Sequence, residues 1–226
     1  MARKFTEEGA QVILCGRNEE TLKKASEELG GCAYHPLDVT HAEQFEGFFE
    51  QAEKEVGKPI DTLVSNAGIS LHEHSFEEVK ESDFDRQFAT NLKGPYFLSQ
   101  AFIRYCLARK KDGQPKNNIL FMSSERGFWP DTIPYGLTKV ALNSLTEGLA
   151  KRYIYKGIRV NAIAPGVTAS DMTQVDKNGE LYREDNIGGR ALLPEEIAEA
   201  ATFLLSDAAA SINGTILPCN LGNHLR

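Results

Sequence analysis

The sequence lacks the features that suit a protein to nucleic acid, to membranes or to an oxidising compartment. It has 25 Lys and Arg against 32 Asp and Glu, a net charge of -7, so the basic surface that nucleic acids and anionic membranes need is not expected. No apolar run is long enough to span a bilayer, and the start is not a signal peptide. The 4 cysteines stand singly, which predicts neither a disulfide framework nor a metal site. We therefore expect a cytoplasmic protein without nucleic-acid, membrane or metal partners.

What the sequence has is an alternation of short β-like runs with helical stretches, at a length of 226 residues that suits one domain over 1–226. This alternation predicts a Rossmann-like, doubly wound parallel α/β sheet. Strands are expected at 12–15, 32–39, 60–65, 118–122, 158–163 and 215–219. Helices are expected at 18–29, 83–109, 134–155 and 194–206, and a further helix runs to about 56 from a capping box of Thr40 and Glu43. The helix 83–109 is expected to break near 94–95. The polar stretch 110–117 predicts a surface loop, and 168–190 predicts a substrate lid.

One pair of side chains points to proton transfer. Tyr135 and Lys139 are four residues apart in a helical stretch and so share a face. A free phenol has a pKa of about 10, and a neighbouring ammonium favours its ionised form. An isolated pair of this kind is more often an ordinary surface pair. Ser124, however, follows the strand 118–122, at the carboxyl end where parallel sheets bind ligands, and its hydroxyl can hold a substrate carbonyl.

Small or polar residues follow other strands, and each set alone is compatible with an ordinary turn. Asn91 lies in the long helical stretch just before the expected break, where an interrupted helix can hold a water. The remaining candidates are Asn66, Ala67 and Gly68 after the strand 60–65, and Pro165, Gly166, Val167 and Thr168 after the strand 158–163.

Taken in order, these motifs resemble those of the short-chain dehydrogenase/reductase family over nearly the whole chain. They are N-A-G at 66–68, Asn91, S-x-x-G at 124–127, Y-x-x-x-K at 135–139 and R-V-N-x-I-x-P-G at 159–166. The resemblance implies an oxidoreductase that moves hydride between a nicotinamide cofactor and a ketone or secondary alcohol. A 3-oxoacyl-carrier-protein reductase is one version of this activity. The alternative is a non-catalytic, truncated homologue that serves as a binding or assembly module.

The resemblance also implies roles for individual residues. Tyr135 would be the general acid/base, Lys139 would lower its pKa and bind the nicotinamide ribose, Ser124 would polarise the substrate carbonyl, and Asn91 would hold a relay water. Residues 165–168 would contact the nicotinamide carboxamide. The other expected cofactor contacts are Asn66, Ala67 and Gly68, with Asp38 and Val39 at the adenine.

Cofactor choice depends on Gly16 and Arg17, where NAD enzymes usually carry an acid for the ribose hydroxyls. Arg17 can pair with a 2′-phosphate, so NADP is favoured and NAD remains possible. A homodimer or homotetramer, joined through the helices around Asn91 and Tyr135, is implied by the resemblance alone.

The family's opening strand and its T-G-x-x-x-G-x-G loop, which holds the pyrophosphate, have no counterpart in the sequence. Residues 2–8 resemble instead the tail of the helix that follows that loop. The true start lies upstream, or the chain is truncated, or the strands 12–15 and 60–65 pair directly. In a truncated form we expect weak or absent dinucleotide binding. Residues 219–222 also replace the family's V-D-G-G, which we expect to affect the subunit interface more than the chemistry.

Overall fold

The computed structural model describes residues 1–109 and 117–225. Helices and parallel strands alternate along them, as expected. The strands are β1 (Ile13–Gly16), β2 (Ala33–Pro36), β3 (Thr62–Ser65), β4 (Asn117–Met122), β5 (Ile158–Pro165) and β6 (Ile216–Cys219). The α-helices are α1 (Ala2–Glu7), α2 (Glu19–Glu28), α3 (Phe48–Val56), α4 (Glu81–Phe88), α5 (Gly94–Ala108), α6 (Pro134–Tyr153) and α7 (Pro194–Leu205).

The strands form two parallel sheets. One contains β1 and β2, and the other has the order β3-β4-β5-β6. Among the residues described, β1 forms no ladder with β3, so the alternative in which the strands 12–15 and 60–65 pair directly is not the one observed. Among the same residues β3 is paired with β4 alone, and helix α3 of the β2–β3 crossover packs on α5, with the Phe49 and Phe102 ring centroids 5.1 Å apart.

Helices cover both faces of the larger sheet. On one face Phe102 of α5 and Leu142 of α6 belong to a buried cluster with β4 and β5. On the other face Leu204 of α7 packs in a separate cluster with Leu120 and Ile163. The β5 residue Ile163 is fully buried, as the uninterrupted apolar run of an interior parallel strand requires. The fold is therefore the doubly wound α/β class that the sequence predicts.

The expected capping box at Thr40 and Glu43 does not form. The amide and the hydroxyl of Thr40 both donate to Asp38 Oδ1, at 2.9 and 2.8 Å. A short 3₁₀ turn follows, and α3 begins only after Gly47, whose φ is +72°. The aspartate side chain has captured the hydroxyl that the capping box needed, which is the usual competition between side-chain turns and helix caps.

The long helix expected at 83–109 is interrupted where the sequence indicated. A π-helical turn, Ala89–Lys93, separates α4 from α5, which starts with Gly94 and Pro95. The expected surface loop at 110–117 lies outside the described residues except for Asn117, which begins β4. Residues 168–190 are mostly bends and turns with isolated bridges. None of the helices in the described ranges is both long and apolar enough to cross a membrane.

Candidate active site

Three of the predicted catalytic side chains meet at the carboxyl end of β4. Ser124 follows that strand and caps the 3₁₀ turn Glu125–Phe128, accepting from the amide of Arg126 at 3.3 Å. Tyr135 lies in the first turn of α6, with Lys139 one turn later and its Nζ 5.4 Å from the Tyr135 ring centroid. Pro134 begins α6 because its fixed φ suits the first turn, where no amide hydrogen is needed.

The protonation of Tyr135 is set by three neighbours and by burial. Burial raises the pKa of its phenol, and the charge of Glu125 raises it further. A hydrogen bond with Ser124 and the charge of Arg126 oppose this effect. The net pKa is higher than that of a free tyrosine, so the phenol keeps its proton at neutral pH in the protein alone.

Lys139 is a buried ammonium with unused donor capacity. Its side chain is 4% exposed, and its Nζ donates to the carbonyl of Met122 at 2.8 Å. Desolvation lowers the pKa of Lys139 to about 8. An ammonium has three donors, so this group suits a ligand that brings hydroxyl oxygens, such as the ribose of a dinucleotide.

Asn91 fixes the N-A-G turn instead of pointing into solvent. Its Oδ1 accepts from the amide of Ile69 at 2.8 Å, and its Nδ2 donates to the carbonyl of Ile69 at 2.8 Å and to Thr138 Oγ1 at 3.4 Å. A Cβ on Gly68 would lie 3.6 Å from Asn91 Oδ1 and 3.7 Å from Lys139 Nζ. The turn therefore lies against the lysine, while Asn66 and Ala67 are exposed. The relay water assigned to Asn91 stays a prediction.

The loop after β5 lies beside the Ser124 loop. Gly166 donates its amide to Cys219 at 3.0 Å and accepts from the Thr168 hydroxyl at 3.0 Å. A Cβ on Gly166 would lie 3.1 Å from Glu125 Oε2, so only glycine fits this approach without movement. Pro165, Val167 and Thr168 are half-buried around it.

The predicted adenine-side residues lie on the smaller sheet. Arg17 is exposed just after β1. Burial raises the pKa of Asp38, but the two Thr40 hydrogen bonds and the charge of Arg17 outweigh it, and the net pKa is lowered. The carboxylate of Asp38 is thus already engaged with Thr40. Val39 packs against α5, since a Cβ on Gly94 would lie 2.5 Å from its carbonyl oxygen.

Several site residues were missed at the level of sequence. Arg126 donates through Nε to Asp131 at 2.7 Å, and the buried Glu125 accepts from Asn220 and Asn223 near the C-terminus. The altered motif at 219–222 was the available signal for the last contact. Asn220 of this motif is 2% exposed and donates to Glu125 in the turn after Ser124, and the expected effect of the motif on the subunit interface stays a prediction.

A doubly wound sheet with serine, tyrosine and lysine gathered at one strand end defines a class of nicotinamide-dependent oxidoreductases. Residues 1–224 match a family model described as enoyl-(acyl carrier protein) reductase. The chain belongs to the short-chain dehydrogenase/reductase family, whose members are enzymes that bind nicotinamide cofactors.

Curated relatives and solved structures support this assignment along almost the full chain. The 5-keto-D-gluconate 5-reductase of Escherichia coli (strain K12) is 34% identical over 218 residues, which cover 92% of this chain and 84% of the relative. The 3-oxoacyl-[acyl-carrier-protein] reductase FabG of Thermotoga maritima is 32% identical over 223 residues, 94% of this chain and 87% of the relative.

Two solved structures have the same fold at lower identity. A 3-ketoacyl-(acyl-carrier-protein) reductase from Brucella melitensis complexed with NADH has a TM-score of 0.89 at 28% identity, covering 99% of this chain and 91% of that one. A gluconate 5-dehydrogenase from Burkholderia cenocepacia in complex with NADP and tartrate has a TM-score of 0.87 at 28% identity, covering 100% of this chain and 89% of that one.

Proposed function

We propose that this protein interconverts a small ketone and its secondary alcohol with NADP as the preferred cofactor. The observation that carries the proposal is the meeting of Ser124, Tyr135 and Lys139 at the end of β4. When bound, the nicotinamide supplies or accepts the hydride. Ser124 donates a hydrogen bond to the substrate carbonyl oxygen, and Tyr135 gives that oxygen its proton during reduction.

The electrostatics of the site suit this division of labour. The raised pKa of Tyr135 keeps the phenol protonated at neutral pH, which is the form that a general acid needs. In the oxidation direction the phenol must lose its proton, and the ammonium of Lys139 beside its ring favours that loss. Lys139 also holds the ribose hydroxyls, and Asn91 keeps the N-A-G turn against the lysine.

The proposed cofactor site runs from the larger sheet to the smaller one. Pro165, Gly166, Val167 and Thr168 hold the carboxamide, and Asn66, Ala67 and Gly68 border the ribose side. Val39 and the main chain of Asp38 contact the adenine, because the carboxylate of Asp38 is bound to Thr40. Arg17 is exposed and pairs with the 2′-phosphate, which is the reason to prefer NADP over NAD.

Removing the Arg17 side chain tests the cofactor preference. In Arg17→Ala the affinity for NADPH should fall about tenfold, the loss of one charge-assisted contact, and the affinity for NADH should stay as it was. Fluorescence titration measures both, with Lys24→Ala on the exposed face of α2 as the matched control. Equal losses for the two cofactors, or no loss at all, would show that Arg17 does not contact a 2′-phosphate.

The substrate that we favour is a small polar carbonyl compound. Two of the relatives named above act, by their names, on keto-gluconate or gluconate, and one of the structures holds tartrate. The cations of the proposed lid 168–190 are paired with acids, at 3.9, 2.6 and 2.7 Å for Lys177, Arg183 and Arg190. This pairing leaves little positive surface for an acidic carrier protein. A 3-oxoacyl-carrier-protein reductase is the second candidate, supported by the Thermotoga relative.

The oligomeric state and the location belong to the same proposal. Large apolar side chains are exposed along α5 and α6, among them Tyr96 at 47%, Phe97 at 37% and Val140 at 40%. Such a patch favours a homodimer or homotetramer joined through these helices, which light scattering would reveal. The 4 cysteines are free thiols, which agrees with the cytoplasm.

Tyr135→Phe tests the mechanism. The wild-type chain should oxidise NADPH with a panel of ketones that includes 5-keto-gluconate, and Tyr135→Phe should lose about 100-fold or more of kcat, since it removes the general acid. Tyr155→Phe is the control, because Tyr155 is 70% exposed. An active Tyr135→Phe protein contradicts the mechanism. A wild-type chain that binds cofactor but turns over no ketone favours the binding or assembly module instead.

A further inference from the structure

A buried carboxylate lies directly after the predicted catalytic serine. Glu125 is 8% exposed and is the first residue of the turn Glu125–Phe128. In the part of the chain that the structure describes, no Lys or Arg lies within 4.0 Å of its oxygens. A buried carboxylate is costly unless it is well hydrogen-bonded, so its partners show what it does.

The partners of Glu125 are two buried side-chain amides of the C-terminal turn 220–224. Asn223 Nδ2 donates to Oε1 and Oε2 at 3.0 Å each, and Asn220 Nδ2 donates to Oε2 at 3.2 Å. Asn220 and Asn223 are 2% and 3% exposed. The turn itself is held by His224, whose Nδ1 lies 2.9 Å from Asn220 Oδ1 and whose ring is 5.3 Å from that of Phe128.

The same turn also contacts the proposed lid. Asn223 Oδ1 accepts from the amide of Ile187 at 3.2 Å. Leu221 adopts a left-handed φ of +53°, and its side chain fills the space next to Gly188, where a Cβ would lie 2.3 Å from Leu221 Cβ. A positive φ in a leucine is unfavourable and persists only where its surroundings impose it. The conformation of the C-terminal turn is therefore tied to its contacts with the segment 168–190.

A third element meets at this point. Gly166, in the loop after β5, lies against Glu125 Oε2 and Asn220 Cβ, at 3.1 and 3.0 Å from its Cβ position. The side chain of Glu125, which belongs to the turn after Ser124, thus contacts both the proposed carboxamide loop and the C-terminal turn. Asn223 in turn links these elements to the lid.

We propose that Glu125 is a positioning residue: its carboxylate, through Asn220 and Asn223, couples the orientation of Ser124 to the position of the lid 168–190. This inference rests on the proposed function. Glu125 itself touches neither substrate nor cofactor. When the lid is closed, Glu125 holds the Ser124 loop in a fixed position against Gly166. When the lid opens at Ile187, the Ser124 side chain becomes less well ordered.

The test is a double-mutant cycle in which the hydrogen bonds can be broken and then restored. Glu125→Gln places an amide against the amides of Asn220 and Asn223, and Asn223→Asp places a second carboxylate beside Glu125. Each single change should lower kcat about tenfold, the effect of one badly matched buried polar contact. In the double variant the glutamine amide donates to the new aspartate, whose other oxygen still accepts from Ile187, so kcat should recover to within about threefold of wild type. Glu50→Gln, exposed on α3, is the matched control.

Two further readouts separate positioning from general loosening. Tyr135 is faced by Ser124, Glu125, Arg126 and Lys139, and the charge of Glu125 is one of the factors that raise its pKa. Glu125→Gln should therefore move the Tyr135 limb of the pH–kcat profile to lower pH. Backbone hydrogen exchange should accelerate together at 124–128 and 187–191 in each single variant, and return in the double variant.

The outcomes separate this inference from the proposed function. If the wild-type chain turns over substrate and Tyr135→Phe abolishes this turnover, the proposed function stands. If the variants at Glu125 and Asn223 then all keep the wild-type kcat, only the proposed role of Glu125 is overturned. A wild-type chain without turnover refutes the function, and hydrogen exchange then decides whether the coupling exists. A double variant that folds no better than the single ones, or folds without recovery of kcat and exchange, also overturns the coupling.

Discussion

At the scale of single residues, the site is governed by what burial does to two ionisable groups. Tyr135 and Lys139 both lie where the charged form is disfavoured, so the pKa of the phenol rises and that of the ammonium falls to about 8. At neutral pH the phenol therefore keeps its proton, and the ammonium stays charged at a cost in folding free energy. Ligand hydroxyl oxygens that accept from its Nζ would offset that cost.

Lys139→Met should stabilise the protein while abolishing turnover. The lowered pKa of Lys139, from 10.5 to about 8, corresponds to roughly 3 kcal/mol of instability at neutral pH. The hydrogen bond to Met122 that is lost is worth about 1 kcal/mol, which leaves a net gain of about 2 kcal/mol. Because the pKa is depressed in the folded state, wild-type stability rises with pH between about 8 and 10.5 as the unfolded chain holds its proton longer. The advantage of the variant is therefore complete below pH 8 and shrinks above it.

Urea unfolding of both proteins on either side of pH 8 measures that difference. A variant that is less stable than wild type at neutral pH, or an advantage that grows with rising pH, would show that the ammonium is not penalised by burial.

At the scale of elements, α6 packs closely on the loop that precedes it. A Cβ on Gly136 would lie 1.8 Å from Asp131 Oδ2, and the carboxylate of Asp131 is itself held by Arg126 and by the amide of Ile133. A Cβ on Gly127 would meet Asn143 of α6 at 2.6 Å. The two glycines therefore let α6 and the loop that precedes it approach this closely.

Two substitutions on α6 should have opposite effects. Gly136→Ala should destabilise the protein by about 1–2 kcal/mol, because displacement of Asp131 costs more than the gain in helix propensity. Gly148→Ala should stabilise it by about 0.5–1 kcal/mol, since nothing lies within 4 Å of its Cβ position. Thermal unfolding compares the two. Equal effects on stability would mean that the Asp131 side chain can move away from a Cβ at position 136 without a cost in free energy.

The elements also show what sequence can and cannot predict. Periodicity predicted the strands, and the Gly94–Pro95 pair predicted the interruption around Asn91, because both signals are local. The capping box failed because Asp38, two residues from Thr40, competed for its hydroxyl. The contact of Glu125 with Asn223 spans 98 positions in sequence, and no local pattern announces such a contact.

At the scale of the whole molecule, the large sheet carries the proposed catalytic residues and the small sheet carries Arg17 and Asp38. The proposed cofactor bridges the two sheets, from Lys139 at the end of β4 to Arg17 at the end of β1. The alternation of strands and helices along the chain correctly predicted the class of fold. The lack of a counterpart to the family's opening strand predicted two open ladders, and among the described residues β1 and β3 are each paired on one side only.

The measurement that tests the central claim most directly is titration of the wild-type chain with NADPH and with NADH, followed by intrinsic and cofactor fluorescence. Both should bind saturably, and NADPH should bind at the lower concentration because Arg17 can pair with its 2′-phosphate. Absence of saturable binding for both cofactors up to millimolar concentration would contradict the proposal that the described residues hold a nicotinamide cofactor.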